Sequence, residues 1–362
     1  MKRTLLFFLI PSLLASLSQG GGAEPAPAVP KVIHVAEIGG QNGKPLGAGV
    51  LTLAKEKGLF DEEFAKDGVT FDFKYYVGTG PAINEALAQG NADIGTYGGV
   101  PNVIGLAGGI PAHVVLTRHF RGSMNYYLAV RPDSPIQSVE DLRGKKISVQ
   151  KGTNPYATLI RFLDRHGVAE KEVKIVNIQS ADALAAFNAG AVDAITGTTN
   201  LLVLRDQGKV RLIADEKNAD GGFADETNIS GYLVNDAFAQ KYPDVVERLV
   251  KVIVKASWWA SQEANRDELV TFLSRASVGG EKYVRDLYAG PLAPRFSPLI
   301  DGESLDGYRK IVAFGVEHKL VRPDARFSEA WFEPKYLAQA LKDLQLEGYW
   351  TPVGPPSLTS TP

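Results

Sequence analysis

The chain has no cysteine among its 362 residues. That removes disulfide frameworks, thiolate zinc and iron–sulfur sites, cysteine nucleophiles and any lipid carried on a cysteine near the start. Charge of one sign is missing as well, because 39 Lys and Arg face 41 Asp and Glu, a formal net charge of −2. No overall cationic field exists to hold nucleic acid or an anionic membrane, so nucleic-acid binding is not expected. Histidine is scarce: His34, His113, His119, His166 and His318 are the five, and no two stand at metal-ligand spacing. They read as scattered side chains satisfied by neighbours, and no metal or cofactor is expected. Neither a Gly-x-Ser-x-Gly elbow nor a phosphate-binding Gly-x-x-x-x-Gly-Lys-Ser/Thr loop occurs. After Gly78-Thr79-Gly80, Ile83 stands where a dinucleotide fingerprint needs its third glycine.

What remains is 44% hydrophobic and 22% charged, the composition of a folded globular chain. Its length exceeds the ~150 residues of an average domain, which favours two lobes. Lys2 and Arg3 precede an apolar run from Leu5 to Leu14, and small residues lead to Ala23. This is the order of regions in a secretory signal, so residues 1–23 read as a cleaved signal peptide. Pro11 and the early return of polar residues make the run too short for a membrane span of ~20 residues. Residues 24–30, rich in Pro and Ala, read as a linker, and residues 348–362 as a flexible tail.

From Val32 the pattern is strand, Gly-rich loop, helix (about Leu46 to Lys57) and a stop at Gly58-Leu59-Phe60. Apolar residues alternate from Val69 to Val77, break at Gly78-Thr79-Gly80-Pro81, and give way to a second helix. Lys145 to Val149 starts the same series again. Ala86-Leu87-Ala88-Gln89-Gly90-Asn91-Ala92-Asp93 matches Ala186-Phe187-Asn188-Ala189-Gly190-Ala191-Val192-Asp193 at an offset of 100 residues. In each, an apolar helix ends at a glycine suited to a left-handed cap and an Asp opens a buried strand. Strands alternating with helices imply parallel sheets with right-handed crossovers, hence two α/β lobes. Ligands of open sheets sit outside the carboxyl ends of the strands. The loops at those ends are 39–47, 78–81 and 96–102 in one lobe, and 151–155, 179–182 and 196–200 in the other.

These segments resemble the nitrate, sulfonate and taurine type of substrate-binding protein that serves ABC importers, a family that includes binders of thiamine precursors. The resemblance rests on Gly58-Leu59-Phe60, Gly80-Pro81-Ala82-Ile83-Asn84-Glu85-Ala86-Leu87 and Asn91-Ala92-Asp93-Ile94-Gly95. It is strongest from Asp133-Ser134-Pro135-Ile136, through Asp141-Leu142-Arg143-Gly144-Lys145-Lys146-Ile147-Ser148-Val149, to Lys151-Gly152-Thr153. It implies a type II periplasmic-binding fold of two doubly wound lobes joined by a two-strand hinge. Lobe one would be 31–122 plus 233–347, and lobe two 123–232. The helices Pro243 to Glu263, with Trp258 and Trp259 as packing residues, and Leu305 to His318 would complete lobe one.

The function implied is an extracytoplasmic solute-binding protein, located in the periplasm without a lipid anchor and expected to be a monomer. Its partners would be a small-molecule solute and an inner-membrane permease with a cytoplasmic ATPase. No catalysis is expected, since the relatives that make the thiamine pyrimidine use a cysteine-rich motif. At Thr196-Gly197-Thr198-Thr199-Asn200 the chain departs from the aromatic residues and proline of many sulfonate binders, which leaves the solute open between a small organic anion and a neutral heteroaromatic. A sensing partner of a membrane receptor is a further alternative.

Helix starts with free amides and a positive dipole end suit an oxyanion. The expected ligand contacts are Gly78, Thr79 and Gly80 from lobe one and Thr153 and Asn154 from lobe two, with Thr196 and Thr198 on the altered wall. Thr79 and Thr153 also read as helix caps. Gln41 and Asn42 would add polar contacts, although Asn42-Gly43 equally suits a turn. Tyr97 beside Gly98 reads as an aromatic wall or as core. Arg118, close to the hinge, would offer a two-pronged guanidinium.

Overall fold

The computed structural model describes residues 29–39, 47–77, 80–120, 125–215 and 228–355. Gln41, Asn42, Gly78, Thr79, the signal segment and residues 356–362 lie outside the described residues.

The first lobe opens with β1 (Val32–Gly39), α1 (Val50–Glu56), α2 (Leu59–Glu63), β2 (Thr70–Val77) and α3 (Gly80–Ala88). It continues with β3 (Ile94–Gly98), α4 (Gly99–Ala107) and β4 (Ala112–His119). The second lobe holds β5 (Tyr127–Val130), β6 (Lys146–Ser148), α5 (Asn154–Arg165), β7 (Lys174–Val176) and α6 (Ser180–Asn188). β8 (Ala194–Gly197), α7 (Thr199–Asp206) and β9 (Arg211–Asp215) follow. The chain then returns through β10 (Ile229–Asn235) to the first sheet. α8 (Asp236–Lys241), α9 (Pro243–Ser261), α10 (Arg266–Ser274), α11 (Gly280–Leu287), α12 (Gly302–Glu317) and α13 (Lys335–Asp343) complete lobe one.

The two sheets have one topology. The first runs β2-β1-β3-β10-β4 and the second β7-β6-β8-β5-β9. In each, the first three strands are parallel, and the antiparallel fourth place is taken by the strand that has just crossed from the other lobe. The described chain re-enters sheet one at Ile229, where β10 pairs with His119. Ser230, Gly231 and Tyr232 complete ladders on both sides of β10, so their backbone groups are satisfied in sheet one.

The repeat has a local cause. Gly90 and Gly190 both take φ near +70° (69° and 73°), the left-handed cap that ends α3 and α6 without a Cβ penalty. Buried residues form one large cluster around sheet one and two clusters against sheet two. α9 lays Val246, Leu249, Val250, Ile253 and Val254 into the larger core. Trp258 does not join them and is 41% exposed, whereas Trp259 is half-buried with the Lys57 ammonium 3.8 Å from its ring centroid. No helix among the described residues is long and apolar enough to cross a membrane.

Candidate functional site

The loops at the strand ends of the two lobes meet at the first turn of α4. Asn154, the first residue of α5 in lobe two, accepts the Val100 amide on Oδ1 at 3.0 Å and donates from Nδ2 to the Ile229 carbonyl at 3.4 Å. A Cβ on Gly98 would lie 2.8 Å from Asn154 Oδ1, so the close approach depends on glycine there. Gly80 joins the same corner from below, its missing Cβ leaving room for Pro101 and Tyr97. Gly152, at φ +76°, faces Ile104 of α4 in the same way. Residues 80, 98–101 and 152–154 are thus brought together.

Their chemistry differs from that reading in detail. The Thr153 hydroxyl does not cap α5 but donates back to the Gln150 carbonyl at 2.6 Å. Neither α4 nor α7 has a side-chain cap from its own Ncap residue. The Thr198 amide is held by Asn200 Oδ1 at 2.8 Å, and the Thr196 hydroxyl points to the Ser148 carbonyl at 3.4 Å. Tyr97 is buried inside lobe one, donating to Asn84 Oδ1 at 2.5 Å, and burial pushes its phenol well above the usual range. Arg118 is also interior: Nε donates to the Arg295 carbonyl at 2.9 Å and Nη2 to the Tyr288 hydroxyl at 3.3 Å. Its guanidinium carbon lies 4.3 Å from the centroid of Phe296.

A residue absent from the sequence expectations dominates the electrostatics. Tyr75, Glu37, Thr96 and Tyr232 are register partners in one row across β2, β1, β3 and β10, so their side chains share one face at the carboxyl end of the parallel strands. Glu37 is 2% exposed, and its Oε2 accepts the amide and the hydroxyl of Thr52 in α1. Oε1 has no hydrogen-bond partner among the described residues. Burial pushes the carboxyl up to about 7, against the lowering effect of Thr52 and of Arg118 further along the face. Gly47 and Gly49 make this placement possible, since a Cβ on either would collide with the carboxylate. The available signal was a lone acid inside the apolar run Val35-Ala36-Glu37-Ile38, directly before a Gly-rich loop.

His34, His113, His166 and His318 each sit within 3.1 Å of a carboxylate oxygen, of Asp93, Asp236, Glu140 and Glu170 respectively. His119, Asp301 and Glu303 offer ligand atoms within 4.8 Å of one another. Asp301 already serves as the cap of α12, accepting Ser304 N at 3.0 Å, and it also takes Val353 N at 3.1 Å.

The chain belongs to the NMT1/THI5-like family, whose sequence pattern matches residues 48–265. A protein of Bacillus subtilis (strain 168) named for the binding of aliphatic sulfonates is 31% identical over 241 residues, 66% of this chain and 69% of that protein. The taurine-binding periplasmic protein of Escherichia coli (strain K12) is 29% identical over 198 residues, 54% of this chain and 59% of its own length. Among solved structures, one described as the periplasmic sulfonate-binding protein SsuA of Methylobacillus flagellatus KT superposes with a TM-score of 0.71 at 28% identity. It covers 90% of this chain and 98% of that one. The fold is the periplasmic binding protein fold. The desulfurization enzyme DSZB shares the fold (TM-score 0.64, 18% identity), so the fold alone does not separate binding from catalysis.

Proposed function

We propose that the protein is the extracytoplasmic solute-binding component of an ABC importer, holding a small organic anion of the sulfonate and taurine class between its lobes. The observation that carries this is the meeting of α5 with the β3–α4 corner, which brings strand-end loops of both lobes together. The family's named relatives bind aliphatic sulfonates and taurine, and this supports the solute class. An oxyanion would take amides at the starts of α5 and α7, where Thr153 and Thr198 leave the first turns without a side-chain cap. Gly78, Thr79, Gly80 and Gly98 would supply backbone from lobe one, with Asn154 closing the gap. The protein works in the periplasm after loss of its signal peptide, as a monomer, delivering its solute to a permease and ATPase without covalent chemistry.

Glu37 bears on the solute. A buried carboxylate at the lobe-one strand ends repels an anionic group and receives an N–H donor. A solute with an acidic head toward lobe two and an amino group toward Glu37, as in taurine, suits both sides. A neutral heteroaromatic bearing an amino group is the second reading, favoured by Glu37 alone.

Calorimetric titration with taurine, butanesulfonate, nitrate and 4-aminopyrimidine tests this. Taurine is expected to bind with one site per chain and more tightly than butanesulfonate. Binding of 4-aminopyrimidine alone would replace the anion reading with the second one.

A further inference from the structure

Away from the strand-end loops, polar contacts among the described residues also join the lobes. His318 at the end of α12 in lobe one places Nδ1 2.9 Å from Oε2 of Glu170 in the 3-10 turn 170–172 of lobe two. Glu170 also accepts the Tyr156 hydroxyl at 2.8 Å and the Lys151 ammonium at 3.2 Å. Beside this pair the Tyr156 ring meets Phe314 of α12, centroids 5.8 Å apart, edge to face. Burial raises the Glu170 carboxyl, but His318, Tyr156 and Lys151 outweigh it and leave it below the usual range. Elsewhere between the lobes, Tyr283 of α11 donates to Oδ2 of Asp206, the last residue of α7, at 2.5 Å, and Lys282 Nζ lies 3.6 Å from the same oxygen.

We propose that His318–Glu170 and Tyr283–Asp206 form a two-point clasp that holds the lobes together before any solute arrives. The two contacts join different pairs of elements, α12 with the 3-10 turn and α11 with α7. Lobe movement that draws either pair of elements apart breaks its contact. Exposed ion pairs are worth little singly. Here the His318 and Glu170 side chains are only 12% and 25% exposed, and a ring contact reinforces them. The consequence is a preformed closed population, which lowers the free energy that solute must supply for closure. This inference stands on contacts between lobes and not on the solute proposed above.

The chain's lack of cysteine permits the test. Asp133→Cys in lobe two and Lys66→Cys in lobe one, both exposed, take paired nitroxide labels, and the distance between them is read without solute by electron double resonance. The expected result is one narrow distribution in the labelled protein. His318→Leu, which keeps apolar contact with Phe314 and Tyr156, should add a second population, as should Tyr283→Phe, and the double variant should make that population dominant. His166→Leu is the control, because His166 ends α5 beside Glu140 within lobe two, and it should leave the distribution unchanged. A broad distribution in the unsubstituted labelled protein would overturn the clasp. So would an unaltered distribution in the folded double variant.

Discussion

Asp93 and Asp193 hold the same post in the two lobes: each carboxylate accepts an amide of the neighbouring parallel strand, His34 N in β1 at 2.7 Å and Lys146 N at the start of β6 at 2.8 Å. Each also donates its own amide to the carbonyl of that same residue, at 2.9 and 2.8 Å. A helix ending on a left-handed glycine delivers the chain to this clip, and the clip sets the register of the next strand. Asp93→Ala and Asp193→Ala should each cost about 1–3 kcal/mol, the range for a lost hydrogen bond to a charged group. Asn at either position should recover part of that by accepting through its amide oxygen. Denaturant unfolding with unchanged slope checks both.

Glu37 predicts a pH dependence whose sign is fixed by its shift. Its carboxyl titrates near 7 in the folded protein against 4.5 unfolded, so the folded state binds the extra proton between those values. Stability from this group therefore falls as pH rises from about 4.5 to about 7, by up to roughly 3 kcal/mol. Glu37→Gln should lose that decline and melt higher than the parent at pH 8. Parallel melting profiles of parent and variant from pH 5 to 8 would contradict the buried carboxyl.

Arg118 is expected to act first on folding. Arg118→Met removes donors from the Arg295 carbonyl and the Tyr288 hydroxyl and a cation from the Phe296 face. The loss should be about 2–4 kcal/mol of stability in solute-free protein, and Lys should not restore it, because an ammonium lacks the planar fork. If Arg118→Lys instead melts like the parent and loses only solute affinity, the arginine belongs to the ligand.

Thr153→Ala separates turn from contact. The hydroxyl holds the Gln150–Thr153 turn, so its removal should cost about 1 kcal/mol of stability. A larger fall in solute affinity, measured by calorimetry, would show that the turn positions the α5 amides. Equal effects on stability and affinity would reduce Thr153 to a turn residue.

The repeat was legible in the sequence because its determinants are local: a glycine that must turn left-handed and an Asp three residues later recur at an offset of 100 residues. The meeting of 80, 98–101 and 152–154 was legible at the level of loops, since strand ends of open sheets face ligands. The use of each side chain was not. Asn154 looks like a ligand donor in sequence, yet its amide is spent on Val100 and Ile229 of the other lobe, a pairing fixed by lobe orientation. Tyr97 and Arg118 sit at positions that suit either cleft or core, and the packing of α4 against α12 and of residues 288–296 against β4 turns both inward. Glu37 was hidden because its meaning depends on Gly47, Gly49 and Thr52 converging on it from beyond the loop.

If solute is held where α5 meets the β3–α4 corner, Gly98 gives the most direct access to its site. Any side chain there wedges against Asn154. Calorimetric titration of taurine into the parent protein and into Gly98→Val is the decisive measurement. Saturable one-to-one binding by the parent is expected, with at least a tenfold loss in a variant that still melts cooperatively. Equal affinity in the two proteins would place the binding site elsewhere in the molecule.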